Sequence, residues 1–117
     1  MKSNVFLKSV FFIYIYCVTC FIWRMKKKTS FGFLEVLLEY DTCVVSEVLE
    51  FEREGRGHSH DQWEICHVIE GGGVIVVGDV EVEVSRGSIC KIPPGTTHWM
   101  KPNPTMKTLL VYSEREG

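Results

Sequence analysis

His58, His60 and Glu64 place three metal-ligating side chains within seven consecutive residues, and His98 follows the turn residues Pro93, Pro94 and Gly95. In an extended strand, side chains two apart leave on the same face with about 7 Å between Cα atoms, so His58 and His60 can aim at one ion while Ser59 points away. Glu64 would lie roughly 13 Å beyond His60 on a straight strand, too far for ligands that sit about 2.0–2.2 Å from a metal. The chain is therefore expected to bend at Asp61 and Gln62, with His98 arriving from a separate strand. Three neutral imidazoles and one carboxylate suit a single first-row divalent ion, with Fe, Mn, Ni, Zn and Co all compatible. On an ion that takes about six ligands, roughly two positions stay open for water or substrate.

Other reactive residue types are less suited to chemistry. His67 is an odd number of residues from Glu64, so on a continuing strand it faces away from the ligands. The same parity puts Cys66 and Val68 on the Glu64 side, and Cys90 with Ile92 facing inward. Both thiols read first as small buried hydrophobes, with a pocket thiol near the metal as the alternative. Trp63 and Trp99 each neighbour a ligand and should point to the opposite face, as packing residues or as a contact between two copies. Gly71, Gly72 and Gly73 read as a turn, because a strand follows them and no Lys-Ser/Thr pair closes a phosphate cradle. With no Ser/His/Asp set and no pair of carboxylates spaced for glycoside cleavage, any chemistry falls to the metal.

From Phe31 onward, short β-rich runs alternate with turn residues, the pattern of an all-β sandwich or barrel. Strands are expected at about 32–39, 43–53, 58–60, 63–70, 73–77, 80–85, 88–92, 97–101 and 106–112. Gly78 and Asp79 join two of these as a tight hairpin, with the glycine at positive φ. Val80, Val82 and Val84 are expected to face inward, and Glu81 and Glu83 outward.

These residues carry a family resemblance. The chain resembles the cupin superfamily, small β-barrels with two signature motifs. His58, His60, Glu64 and Gly71 stand at the spacings of the first motif, and Gly87, Pro93, Gly95 and His98 at those of the second. Fifteen residues separate Gly71 from Gly87, and the resemblance covers roughly 43–112. Glu52 stands where the first motif has a glycine, and Pro102 where the second has an asparagine. The resemblance implies a single-domain jelly-roll or double-stranded β-helix barrel with a metal site inside its mouth. It also implies a small-molecule substrate or ligand. Small cupins include dioxygenases, isomerases and epimerases, and also non-catalytic sensor modules. A metal-dependent enzyme on a small chelating substrate is the leading expectation, dioxygenase-like ahead of isomerase-like. A binding or sensor module is the alternative. The stretch from His58 to Gly72 is similar to cupin domains that precede helix-turn-helix regulators, yet no such helices follow it.

At 117 residues with 45% hydrophobic content, the chain is sized and composed for one globular domain. A net charge of −2 gives no electrostatic footprint for nucleic acid, which is excluded as a partner class. Five cysteines without the spacing of a disulfide scaffold point to reduced thiols in the cytoplasm, and Cys17 and Cys20 form a C-x-x-C with no redox context around it. A minimal barrel exposes sheet edges, so a homodimer is expected.

The chain divides into a hydrophobic then basic segment, 1–28, and the barrel, 29–117. Residues 4–23 are nearly long enough to span a bilayer, although Lys8 interrupts them. As a membrane anchor they would leave the barrel on the cytoplasmic side, because Arg24 and Lys26 to Lys28 follow. Alternatively the working protein begins at Met25, whose context looks like a bacterial translation start, or the segment is a packed or disordered extension.

Overall fold

A computed structural model describes residues 26–41 and 43–113. The expectations for the first 24 residues, the Cys17/Cys20 pair included, lie outside the described residues. No helix occurs among the described residues, and so none is long and apolar enough to cross a membrane. Seven strands are present: β1 (Lys27–Lys28), β2 (Gly32–Tyr40), β3 (Cys43–Phe51), β4 (Glu64–Val77), β5 (Val80–Ser85), β6 (Ile89–Ile92) and β7 (His98–Tyr112). All pair antiparallel, in the order β1-β2-β3-β7-β4-β5, with β6 on the free side of the first half of β4.

Alternation decides what the strands bury. Leu49 and Phe51 of β3, Cys66 and Val68 of β4, Ile92 of β6, and Met100, Met106 and Leu110 of β7 all turn inward and form one core with Ile75 and Val84. Each such side chain contributes on the order of 1.5–3 kcal/mol through burial. Thr108, also inward and fully buried, donates its hydroxyl to the Leu49 carbonyl.

The largest departure from expectation is that two breaks are missing. The strands expected at 63–70 and 73–77 are one strand, β4, and those expected at 97–101 and 106–112 are one strand, β7. The glycine run is a bend and not a turn. Gly71 and Gly73 have φ of 70° and 148°, and the pairing of β4 with β7 slips at Val68/Glu70 and again at Gly71/Gly73. A Cβ at Gly71 would lie 2.1 Å from the Thr105 carbonyl oxygen, and one at Gly73 would lie 2.1 Å from that of Lys101. Glycine here lets two paired strands turn a corner together without separating.

Two smaller corrections concern edges. The expected strand at 58–60 is a single bridge, His58 to His98, because the chain bends away after His60, whose carbonyl accepts a bond from the Gly95 N–H. The hairpin at Gly78 and Asp79 forms as expected, with Gly78 at φ 60°. Beyond it only Val84 is buried, while Val80 and Val82 are 60% and 37% exposed. β5 ends the sheet order and pairs with β4 alone, so alternation sets the facing of its valines but nothing covers the first two.

Candidate metal centre

The corner in β4 and β7 decides what meets what. By strand pairing, Glu64 lies opposite Tyr112 at one end of the β4/β7 ladder, and His98 lies opposite Val77 at the other. A straight strand would put those ends about 43 Å apart. Instead Glu64 Oε1 and His98 Nε2 are 3.3 Å apart. The bent ribbon brings its two ends face to face inside the barrel.

His58 and His60 join from the loop before β4, which runs beside the start of β7 through paired hydrogen bonds between His58 and His98 and a bond from Gly55 N–H to the Met100 carbonyl. Gly57 lets this loop sit close, since a Cβ there would be 3.3 Å from the Trp99 ring. His60 Nε2 lies 3.2 Å from Glu64 Oε1. Ring centroids are 4.4 Å apart for His58 and His98, 5.1 Å for His60 and His98, and 5.8 Å for His58 and His60. One donor atom from each of His58, His60, Glu64 and His98 falls within 4.8 Å of all the others.

Each imidazole is held the same way. Nδ1 of His98 donates to the Thr96 carbonyl at 2.8 Å, Nδ1 of His60 to Gln62 at 3.0 Å, and Nδ1 of His58 to Arg56 at 3.3 Å. A carbonyl only accepts, so the proton sits on Nδ1 and each neutral ring keeps its lone pair on Nε2, which in His60 and His98 lies 3.2 and 3.3 Å from Glu64 Oε1. Such backbone bonds fix tautomer and ring orientation in metal-binding histidines.

Three lone pairs converging on a carboxylate repel one another unless a proton or a cation lies among them. Glu64 is 1% exposed and His98 is fully buried, and Glu64 Oε2 and His98 Nε2 have no hydrogen-bond partner among the described residues. Burial disfavours charge on His98, but the Glu64 carboxylate and the Thr96 carbonyl outweigh it and raise its pKa. The donor set, its burial and its unmatched acceptors fit one divalent cation.

The remaining expectations can be placed around this cluster. Cys66 and Cys90 lie opposite each other on β4 and β6 and face inward, Cys66 wholly within the core. Burial pushes both thiols up, and the Glu64 charge adds to it, so both stay protonated near neutral pH. His67 is outside the donor cluster. Trp63 faces outward beneath the Lys91 ammonium, 4.5 Å above its ring. Two residues at the site escaped the sequence reading. Tyr112 sets its ring edge-on to His60 at 5.4 Å, and its hydroxyl donates to Glu47 Oε1 at 2.6 Å. Their inward parity was readable from Leu49 and Leu110, but the strand pairing that joins them was not.

A family model described as Cupin domain matches residues 46–113. No curated protein matches the chain. Among solved structures, an RmlC-like cupin from Shewanella frigidimarina is similar at 21% identity and TM-score 0.55, covering 58% of this chain and 63% of its own. A predicted oxalate decarboxylase from Thermotoga maritima is similar at 20% identity and TM-score 0.61, covering 76% of this chain and 88% of its own. An oxalate decarboxylase variant from Bacillus subtilis reaches TM-score 0.70 at 16% identity over 81% of this chain, which spans 28% of the longer protein. At these identities the likeness is one of fold.

Proposed function

The chain belongs to the cupin family, and on that premise we propose that it holds one divalent transition metal through His58, His60, Glu64 and His98 and acts on a small molecule that chelates it. The observation that carries this reading is the set of three Nδ1–carbonyl bonds, which leave the Nε2 lone pairs free in a four-donor cluster within 4.8 Å around one buried carboxylate. Such an ion, when bound, supplies a Lewis-acid centre that orients and polarises a chelating substrate. The chain's own part is to fix the ring tautomers through the Arg56, Gln62 and Thr96 carbonyls and to hold Glu64 and His98 out of solvent.

The reaction class we favour is a dioxygenase-like oxidoreductase, ahead of an isomerase. The test is elemental analysis of the purified chain, followed by oxygen-consumption measurements on the iron-loaded protein with small chelating substrates. Turnover without oxygen uptake would favour the isomerase. The second reading is a binding or sensor module without turnover. It is favoured by the bond between Tyr112 and Glu47, which leaves neither as a free proton donor beside the four ligands. Free thiols at Cys43, Cys66 and Cys90 fit a cytoplasmic setting, and the apolar side chains exposed on the outer face of β4, β6 and β7 fit a homodimer. Nucleic acid is no part of this reading.

A further inference from the structure

Beyond the four candidate ligands, one more carboxylate, that of Glu47, is tied to the cluster. Glu47 lies on the inward parity of β3 with Leu49 and Phe51, and Tyr112 on that of β7 with Met106, Thr108 and Leu110. Tyr112 spans from the His60 ring at 5.4 Å to Glu47 Oε1 at 2.6 Å, so Glu47 stands one side chain away from a ligand.

Three lysines are engaged elsewhere. Lys101 pairs with Glu81, Lys107 with Glu50, and Lys91 covers Trp63. A dianion entering this mouth would meet the carboxylates of both Glu64 and Glu47.

We propose that Glu47, held in place by Tyr112, selects the molecule that binds the metal site: a small chelator that carries at most one negative charge and offers a hydrogen-bond donor to Glu47. The inference rests on the metal-binding reading above. Two ionised carboxylates already balance a divalent ion, so a second negative charge on the ligand gains nothing from the site as a whole. With Tyr112 donating to Oε1, Oε2 is the acceptor left to the ligand, and an anionic group placed against it would be repelled. Burial raises the Glu47 pKa, and the Tyr112 hydroxyl counters that rise, in keeping with a carboxylate that still accepts.

Oxalate and oxamate make the test, because they share size and chelating geometry while oxamate replaces one carboxylate by an amide that can donate. Their affinities are to be measured on the full chain loaded with cobalt(II), from the visible spectrum, after metal content has been matched between samples. Relative to free cobalt(II) in solution, the site is expected to shift the oxamate-to-oxalate affinity ratio about tenfold toward oxamate, the worth of one hydrogen bond to a charged group. That preference should vanish or reverse in Glu47→Gln, whose amide can donate to oxalate. It should also fall in Tyr112→Phe, which keeps the ring beside His60 but frees Glu47. A ratio no more favourable to oxamate than that of free cobalt(II), or a ratio unchanged in both variants, overturns the inference. Failure of the chain to take up cobalt at all would instead overturn the metal-site reading, and this inference with it.

Discussion

His98 Nε2 lies 3.3 Å from Glu64 Oε1, although by strand pairing the two residues belong to opposite ends of the β4/β7 ladder. Both are buried, and neither ring nitrogen nor carboxylate can satisfy the other without something positive between them.

Removing either member of that pair should therefore cost metal first. His98→Ala and Glu64→Ala are expected to lower metal affinity by more than the roughly 10–100-fold that loss of an outer hydrogen-bond partner costs. His67→Gln, outside the cluster, should leave it unchanged. Titration with a chelator as competitor measures this, and full occupancy in His98→Ala would contradict the ligand assignment.

Metal should also stabilise the fold. At about 100 times its Kd, a ligand that binds only the folded state adds about 2.7 kcal/mol, a rise in Tm of roughly 10–20 °C for a domain this size. Calorimetry should find that rise in the parent chain and none in His98→Ala.

The pH dependence of that gain follows from His98. Its pKa is raised in the fold, so in the metal-free chain its contribution to stability is complete below the unfolded value of about 6.5 and is lost as pH rises through the folded value. Metal binding needs the neutral ring, the opposite preference. The Tm difference between metal-loaded and metal-free protein should accordingly shrink as pH falls from about 7.5 to about 5.5. A difference that stays constant over this range would exclude His98 as a ligand.

Two glycine substitutions should separate strain from collision. Gly87 has φ 94° with open space around it, so Gly87→Ala should cost about 1 kcal/mol, from backbone strain alone. Gly73→Ala adds a 2.1 Å approach to the Lys101 carbonyl and should cost several times as much, on the order of 3–4 kcal/mol. Urea denaturation of both variants provides the comparison, and equal losses would mean that the corner is not held by close packing.

A homodimer, if formed, has an evident face. Ile65 and Val111 are cross-strand neighbours, Ile89 lies opposite His67, and these three apolar side chains are 44%, 39% and 68% exposed. Sedimentation should show Ile65→Glu and Ile89→Glu as monomers under conditions where the parent is a dimer. A parent that is itself monomeric would refute this.

Ligand type and spacing were legible in the chain because histidine and glutamate have few reasons to cluster between turn residues. The bend at Asp61 and Gln62 followed from distance alone, and the inward facing of Cys66, Val68 and Ile92 from parity. What the sequence hid is tertiary. Three glycines in a row look like the end of a strand, and only the carbonyls of Lys101 and Thr105 across the ladder show that they carry it round a corner. Val80 and Val82 have the alternation of buried residues, but burial depends on a covering layer that one strand cannot specify. Glu47 and Tyr112, 65 residues apart, meet through the pairing of β3 with β7, which no local pattern encodes.

The corner at Gly71–Gly73 also sets a timetable. His58, His60 and Glu64 lie within one short stretch that leaves the ribosome together, whereas His98 opens the last strand. Until β7 has paired along the whole of β4 and the ribbon has bent, a nascent chain can offer a passing ion only three of the four donors, and loosely. Under the proposed ligand assignment, tight capture would wait until the barrel is finished, and the ion would act as a late inspector of folding and not as its nucleus.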